Sequence, residues 1–359
     1  AFSTCKNLQE IVLPEKLKII EDYTFYECWG LANVTFPGAL EVIGDYAFDG
    51  CVGLSSIYIP KTVELIGSNP FSCGESLYVG SLQNIVVDRD NPYYSSQVDG
   101  KEYNCVWPKT GYDKNKLLFG CANTIIPNNI TEILESAFSG CPIKKLIIPN
   151  TVQAIGFYAF ENCMFLEEIT LPNSLTAIKG QTFLYCESLK HISFPDTLIE
   201  IGANAFNDCK SLDSISIPKN VTEGLRGDTF FLCGAAKDIN VDSQNTAYTS
   251  QNSQGEECNC IIRVEGNSLL RGNAKTIIPD TVTSLGYGAF SGCDIKSISI
   301  PEFITSIGEA AFYQCTSLKS VSIPQSVTTI DTGAFYKCQS LESISIPKSV
   351  TDIGYRAFT

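Results

Sequence analysis

Cysteine is the residue type in this sequence that most strongly suggests chemistry, because a thiolate can bind zinc, attack an electrophile or form a disulfide. The chain contains 16 cysteines but a single histidine, His191. Cys258 and Cys260 are one residue apart and lack a Cys-x-x-Cys partner, so their spacing does not fit the usual zinc sites. Without a second histidine, acid–base or metal catalysis at His191 has little support. We expect a surface role for His191, no catalytic site, no metal and no cofactor.

Oxygen ligands suited to calcium occur at Asp88, Asp90 and Asn91. A related stretch, 242–245, has one carboxylate fewer. We therefore favour an Asx-type turn, in which the first side chain accepts a hydrogen bond from its own backbone, with calcium binding as the alternative.

The spacing of the cysteines belongs to a longer pattern, since twelve of them follow a phenylalanine by two or three residues. The phenylalanines that recur are Phe2, Phe25, Phe48, Phe71, Phe138, Phe160, Phe183, Phe206, Phe230, Phe290, Phe312, Phe335 and Phe358. Ten of the twelve steps between them are 22 to 24 residues, and the other two are 67 and 60. So regular a period indicates one supersecondary unit stacked on copies of itself, which is a solenoid.

Each repeat contains the elements that position these residues. Val321 and Ile323 are two residues apart, as in a short strand with one buried face, and Pro324 ends the strand because it has no N–H to donate. The segment 327–330 is predicted to turn the chain back, and residues 334–335 to lie in a short helical turn. The phenylalanines should then stack as a spine, and the thiols should form a buried ladder that caps backbone groups. Disulfides between repeats are the alternative.

Composition excludes several classes of partner. The net charge is −14, and neither a basic stripe nor a run of about 20 apolar residues is present. Nucleic acid, anionic membrane surfaces and membrane insertion are therefore disfavoured.

Both ends of the sequence fall within a repeat, so we expect a segment of a longer polypeptide. A native reading frame with these ends would contradict that expectation.

The repeat Leu-x-x-Ile-x-Ile-Pro-x-x-Val-x-x-Ile-Gly-x-x-Ala-Phe-x-x-Cys resembles the BspA-like, treponemal-type leucine-rich repeat over essentially the whole chain. This resemblance implies an α/β fold: a right-handed leucine-rich-repeat solenoid, in the shape of a horseshoe or arc. Short strands would line the concave face, with short helical turns opposite. It also implies a large secreted or cell-surface protein, mainly bacterial, that adheres to host matrix proteins or other cells and carries no catalytic motif.

Two longer repeats interrupt the regular ones, and they match each other in the order of their motifs. We interpret the stretches near 74–123 and 234–275 as insertions, each a strand, a projecting hairpin and a return to the solenoid. With these included, we expect a single solenoid, 1–359, of about fourteen strands.

One side chain at the centre of each strand is predicted to point to solvent. These residues are Val12, Thr35, Tyr58, Val86, Ile125, Ile147, Thr170, Ser193, Ser216, Asn240, Ile277, Ser299, Ser322 and Ser345. The middle of this row, from Tyr58 through Val86 and Ile125 to Ile147, is apolar, and an exposed apolar run often marks a partner site. The alternative is that the first insertion folds over the run and buries it.

The first insertion is also rich in aromatic residues with polar tips, which suit protein or glycan contacts. They are Tyr78, Tyr93, Tyr94, Tyr103, Trp107 and Tyr112. They could equally pack the hairpin onto the scaffold.

The leading hypothesis is a non-enzymatic, extracellular binding module for a host matrix protein or glycan. A structural stalk that carries another domain is the second hypothesis.

Overall fold

A computed structural model describes residues 1–72 and 80–359. Contacts divide the chain into two compact units, Ala1–Glu187 (unit 1) and Ser188–Thr359 (unit 2). The described residues form 29 short strands and no helix, so the prediction of short helical turns is wrong. Consequently no described segment is a helix that could cross a bilayer.

The strands of unit 1 are β1 (Glu10–Val12), β2 (Ile19–Ile20), β3 (Asn33–Thr35), β4 (Val42–Ile43), β5 (Ser56–Ile59), β6 (Leu65–Ile66), β7 (Asn84–Val87), β8 (Tyr94–Val98), β9 (Lys101–Pro108), β10 (Lys116–Leu117), β11 (Phe119–Gly120), β12 (Glu132–Ile133), β13 (Lys145–Ile147), β14 (Ala154–Ile155), β15 (Glu168–Thr170) and β16 (Ala177–Ile178). The strands of unit 2 are β17 (Glu200–Ile201), β18 (Ser214–Ile217), β19 (Asp238–Val241), β20 (Tyr248–Gln251), β21 (Glu257–Arg263), β22 (Ser268–Arg271), β23 (Ser284–Leu285), β24 (Ser297–Ser299), β25 (Ser306–Ile307), β26 (Ser320–Ser322), β27 (Thr329–Ile330), β28 (Ser343–Ser345) and β29 (Asp352–Ile353).

Strands that end near the proline of each repeat form a first strand row, as the sequence predicted. They pair in parallel with their counterparts one repeat away, as β1 does with β3, β13 with β15 and β26 with β28. The central apolar residue packs inward while its two neighbours point to solvent, which gives these strands their alternating burial.

A second strand row follows the proline, where the sequence predicted only a change of direction. In unit 1, Ile20 pairs with Ile43, and Ile43 pairs with Ile66, in a parallel ladder whose isoleucines are buried. The expected total of about fourteen strands counted the first row alone. Most regular repeats therefore supply two rungs instead of one strand and a helical turn.

The phenylalanine turn forms the remaining side of each repeat, and its backbone bonds explain why it is not helical. The Phe25 amide donates to the Ala47 carbonyl of the next repeat at 2.8 Å, and the Glu27 amide donates to the Asp49 carbonyl at 2.7 Å. Glu27 has a positive φ of 52°. An α-helix needs right-handed residues and bonds within its own segment, so a turn that bonds to the next repeat cannot be one.

Stacked phenylalanine rings form the predicted spine within each unit. The Phe160 ring centroid lies 5.1 Å from that of Phe138 and 5.3 Å from that of Phe183. In unit 2, Phe312 and Phe335 are 5.0 Å apart with almost parallel planes. These side chains are nearly inaccessible to solvent, so the spine is a continuous apolar contact between the neighbouring repeats that it joins.

The cysteines form the predicted ladder next to this spine. The Cys163 thiol donates to the Phe138 carbonyl at 3.0 Å, and the Cys186 thiol donates to the Phe160 carbonyl at 3.1 Å. The fifteen cysteines that the structure describes are thiols, and Cys73 lies outside the described residues. Burial raises the pKa of the Cys163 and Cys186 thiols, which makes thiolate chemistry there unfavourable.

Each insertion fills one place in the spine. The Phe119 ring lies 5.1 Å from that of Phe71, and Gly120 lies against the Phe138 ring, where a side chain would collide. In the second insertion Arg271 and Gly272 take the places of Phe119 and Gly120. Arg271 is almost fully buried, and its Nη1 donates to a backbone carbonyl and a hydroxyl of Ser291, but its Nε has no partner among the residues that the structure describes.

Replacing Arg271 with phenylalanine, the residue of the matching position, is expected to stabilise the protein. A buried guanidinium without a carboxylate loses its hydration, and apolar replacements of buried charges often raise the free energy of unfolding by about 1–4 kcal/mol. Urea unfolding of R271F and R271A would test this expectation. R271F should unfold at a higher and R271A at a lower urea concentration than the parent, whereas a destabilised R271F would contradict it.

Candidate functional site

The first insertion contains a turn that is clamped by the buried side chain of Asn91. Its Nδ2 donates to the carbonyls of Pro60 and Val63 at 2.9 and 3.0 Å. Its Oδ1 accepts the backbone amides of Tyr93 and Tyr94, each at 2.8 Å. Four hydrogen bonds thus occupy the side chain, which ties the insertion to the preceding repeat and leaves no role for it as a calcium ligand.

Asn245 makes the same four bonds in the second insertion, to Pro218, Val221, Ala247 and Tyr248. The sequence reasoning missed this clamp. The signal was available, because an aspartate, an asparagine and a tyrosine recur at intervals of three residues in both insertions.

The Asx-type turn predicted before the clamp is confirmed. The Asp90 amide donates to Asp88 Oδ1 at 2.9 Å, and in the second insertion Gln244 does the same to Asp242 at 2.8 Å. Among residues 1–72 and 80–359, no group of three or more His, Cys, Asp or Glu side chains could hold a metal ion.

Tyr94 and Trp107 belong to the core, so their proposed role in binding a partner is wrong. Their exposed fractions are 7% and 3%. The Tyr94 hydroxyl accepts a hydrogen bond from the Ile66 amide at 3.0 Å. It thus takes the place of the backbone carbonyl that would otherwise have to accept this bond. These two aromatic residues pack the hairpin onto the scaffold, which is the alternative that the sequence left open.

The hairpin of β8 and β9 is antiparallel, as expected, but it does not simply project. Asn104, with a φ of 54°, bends β9 towards the first strand row, and its Oδ1 accepts the Ile85 amide at 3.3 Å. On the other side, the Ile125 amide donates to the Tyr103 carbonyl at 3.0 Å. β9 therefore lies between β7 and the segment that contains Ile125, and continues the row.

Four residues along this row, Tyr58, Val86, Ile125 and Ile147, form what we call the apolar patch. Tyr58 and Val86 are register partners in β5 and β7. Ile125 and Ile147 occupy the same position of successive repeats, whose second-row strands β12 and β14 pair directly. With β9 between the two pairs, the four positions follow one another across the row.

The apolar patch is open to solvent. The exposed fractions are 53% for Tyr58, 54% for Ile125 and 73% for Ile147, whereas Val86 is half-buried. The alternative in which the first insertion buries this run is therefore wrong for three of the four residues. The Tyr58 hydroxyl donates to Asp88 Oδ2 at 2.7 Å. This hydrogen bond orients the Tyr58 ring and raises the pKa of the Tyr58 hydroxyl.

The other predicted aromatic residues do not form one site with the patch. Tyr112 is highly exposed but lies beside β10 of the second strand row, with Lys116 Nζ 4.2 Å from its ring centroid. Tyr103 is partly exposed on β9, next to the patch, and Tyr93 is exposed just after the Asn91 clamp. Tyr78 lies outside the described residues.

Outside the apolar patch, the same positions are exposed and largely polar. Thr35 and Thr170 in unit 1 and Ser216, Asn240 and Ser322 in unit 2 are all exposed. His191 also lies at the surface, as the sequence predicted, with Nδ1 2.9 Å from Asp213 Oδ1.

The chain matches the family described as the BspA type leucine rich repeat region (6 copies). The match covers residues 1–92, 118–252 and 272–359. No curated protein matches the chain. Among solved structures, it is similar to a leucine rich cell surface protein from Faecalibacterium prausnitzii, with 29% identity and a TM-score of 0.57. That similarity covers 67% of this chain and 62% of the other.

A second similar structure is the pneumococcal vaccine antigen PcpA, with 25% identity and a TM-score of 0.54 over 77% of this chain and 62% of that one. This chain thus spans less than two thirds of the length of either relative. The family match covers most of the residues and both insertion flanks, and it agrees with the repeat seen in the sequence. The chain belongs to the BspA-type leucine-rich repeat family.

Proposed function

We propose that this chain is a non-enzymatic binding module of a bacterial cell-surface or secreted protein, and that its apolar patch contacts a host extracellular protein. The observation that carries the proposal is the exposure of Tyr58, Ile125 and Ile147 at neighbouring positions of a row whose other exposed positions are mostly polar, with Val12 and Ile277 as isolated exceptions. Repeat proteins commonly bind partners through such extended surfaces.

The chemistry of the apolar patch favours a protein over a glycan. Valine and isoleucine side chains offer neither hydrogen-bonding groups for sugar hydroxyls nor a flat face for a sugar ring. They do suit the apolar centre of a protein interface, where an aromatic residue such as Tyr58 often contributes most of the affinity. The net charge of −14 favours a neutral or basic partner.

The proposed location rests on the family and on its relatives. The F. prausnitzii relative is described as a cell surface protein, and the match covers 67% of this chain. Membership of the BspA-type family supports the same location. The second candidate, a structural stalk, is favoured by the regular spine, but it gives no reason for exposed apolar side chains to cluster at neighbouring positions.

Binding of the segment to immobilised extracellular-matrix proteins and glycans would test the proposal. We expect saturable binding to a protein, weakened about tenfold or more by the double substitution Ile125→Ser and Ile147→Ser, because apolar anchors at interface centres carry much of the affinity. Both side chains are exposed, so the double variant should unfold at the same temperature as the parent.

Ile277→Ser is the matched control, because Ile277 is an exposed isoleucine at the same repeat position in unit 2, outside the apolar patch. It should bind as the parent does. An equal loss in this control would contradict a site confined to the patch. If the folded segment binds nothing in the panel, the stalk is the better description, and binding only to glycans would overturn the protein partner.

A further inference from the structure

A polar cleft of about 590 Å³ lies in unit 2, at the edge of the second insertion. Its volume falls in the range of sites that bind small ligands, roughly 300–1,000 Å³. Its lining includes Gly224, Arg226, Gly227, Arg263, Ser268 and Tyr287.

The lining of this cleft is positively charged, although the protein as a whole is acidic. Arg226 and Arg263 are its only ionisable groups of fixed charge, and no carboxylate of the described residues lines it. Three of the five arginines in the sequence, these two and Arg271, fall in or beside the second insertion. In a chain of net charge −14, such a concentration of guanidinium groups calls for a specific explanation.

Arg263 is held in place by the fold. One of its terminal nitrogens donates to the Leu225 carbonyl, and its guanidinium also contacts the buried Tyr248 hydroxyl. Arg226 lies one residue after Leu225, and its side chain is exposed to solvent. A guanidinium fixed by the fold and an exposed one in the same lining are well suited to an oxyanion, because a guanidinium can donate two parallel hydrogen bonds to it.

The fold does not require either arginine. Arg263 is the register partner of Tyr248, and the matching partner of Tyr94 in the first insertion is Pro108. The tyrosine contacts Leu225 in one insertion and Ile66 in the other, so Arg226 corresponds to Gly67. The first insertion folds in the same way with proline and glycine there, which means that the two charges are an addition to the scaffold.

Three carboxylates that act electrostatically on Tyr248 and Tyr287 limit how much negative charge a ligand can bring. Glu223 acts electrostatically on Tyr248, and Asp228 and Glu309 act on Tyr287. A densely charged polyanion would be repelled by these three groups, whereas a ligand with one or two anionic groups could pair with the arginines alone.

We propose that this cleft binds a sugar that carries a carboxylate or sulfate group. The two guanidinium groups would hold the oxyanion, while the hydroxyls of Ser268 and Tyr287 would meet the sugar hydroxyls. The Tyr287 ring, partly exposed and 5.3 Å from the Phe231 ring centroid, offers an apolar surface for the sugar ring. Glycines and hydroxyls give little that would hold the side chains of an acidic peptide.

Titration calorimetry with the segment and four probes would test this inference. The probes are a disaccharide ending in glucuronic acid, its sulfated counterpart, the neutral disaccharide and a short glutamate-rich peptide. One of the two acidic sugars should bind, and which one does so assigns the anionic group. The neutral sugar should not bind measurably, and binding of the acidic sugar should weaken as salt is added.

Arg226→Gln should weaken that binding about tenfold to a hundredfold, the loss expected for a hydrogen-bonded charge. The control is Arg89→Gln, an exposed arginine of unit 1 outside the cleft, which should bind as the parent does. The double variant at Ile125 and Ile147 should also retain sugar binding, so the two proposals can fail separately. The inference is overturned if no sugar binds, if R226Q binds normally, or if the peptide binds as tightly as the acidic sugar.

Discussion

Replacing Phe160 with alanine is expected to lower the free energy of unfolding by about 3–5 kcal/mol, the usual cost of truncating a buried phenylalanine. The ring is inaccessible to solvent and stacks on Phe138 and Phe183 with interplanar angles of 11° and 6°. Removal of the ring leaves a cavity that cannot close easily, because the backbone hydrogen bonds between repeats fix the distance from one repeat to the next. Equilibrium urea unfolding followed by circular dichroism would measure the change.

Phe157→Ala is the matched control, since Phe157 lies in the same turn but is 48% exposed. It should change the free energy by less than about 1 kcal/mol. Because each repeat contacts only its neighbours, the loss at Phe160 should also be local, with faster amide exchange in the two adjoining repeats than elsewhere in unit 1. A cost below about 1 kcal/mol for F160A would show that the spine does not carry the contact between repeats.

The spine and the thiol ladder could be predicted from the sequence because each depends on one strictly recurring position. A phenylalanine every 22 to 24 residues has to meet the next copy once the repeats stack, whatever the exact backbone path. The same reasoning placed a cysteine beside each ring, and Cys163 does donate to the Phe138 carbonyl. Positions defined by the period were therefore predicted well.

The second strand row and the phenylalanine turn could not be predicted in the same way. A strand such as β2 has two residues and a single buried side chain, which is too short to show an alternating pattern. An apolar residue followed by glycine and a small turn also fits the start of a helix. Hydrogen bonds between different repeats decide the conformation of this turn, as the one from the Phe25 amide to the Ala47 carbonyl does. Such bonds leave no signal in the local sequence.

The candidate site was predicted in part. Tyr58, Ile125 and Ile147 are exposed because they alternate with buried residues in the regular strand pattern. Trp107 is not, because β9 is bent at Asn104 and no longer follows that pattern. Tyr94 illustrates a second limit: a polar tip suggests an interface, but it also allows burial wherever a backbone amide needs an acceptor, as at Ile66.

Replacing Asn91 with alanine is expected to cost roughly 3–5 kcal/mol and to release the first hairpin. Two backbone amides and two carbonyls lose their partner in a site that is 1% exposed, and each unsatisfied buried group costs about 1–3 kcal/mol. Urea unfolding would give the energy. In a background where Trp29 is replaced by phenylalanine, the remaining tryptophan is Trp107, and its emission should shift to the red as the hairpin opens.

Asn123→Ala is the control in the same insertion, because Asn123 is exposed and, among the described residues, its Nδ2 donates to the Asn84 side chain alone, at 3.3 Å. Its effect should stay within about 0.5 kcal/mol, with unchanged emission. N91A should also weaken partner binding at the apolar patch, since β9 lies between its two halves and moves with the hairpin. If N91A unfolds like the parent, the clamp does not hold the insertion. If instead it opens the hairpin but leaves binding intact, the patch does not depend on β9, and the partner contacts only one of its halves.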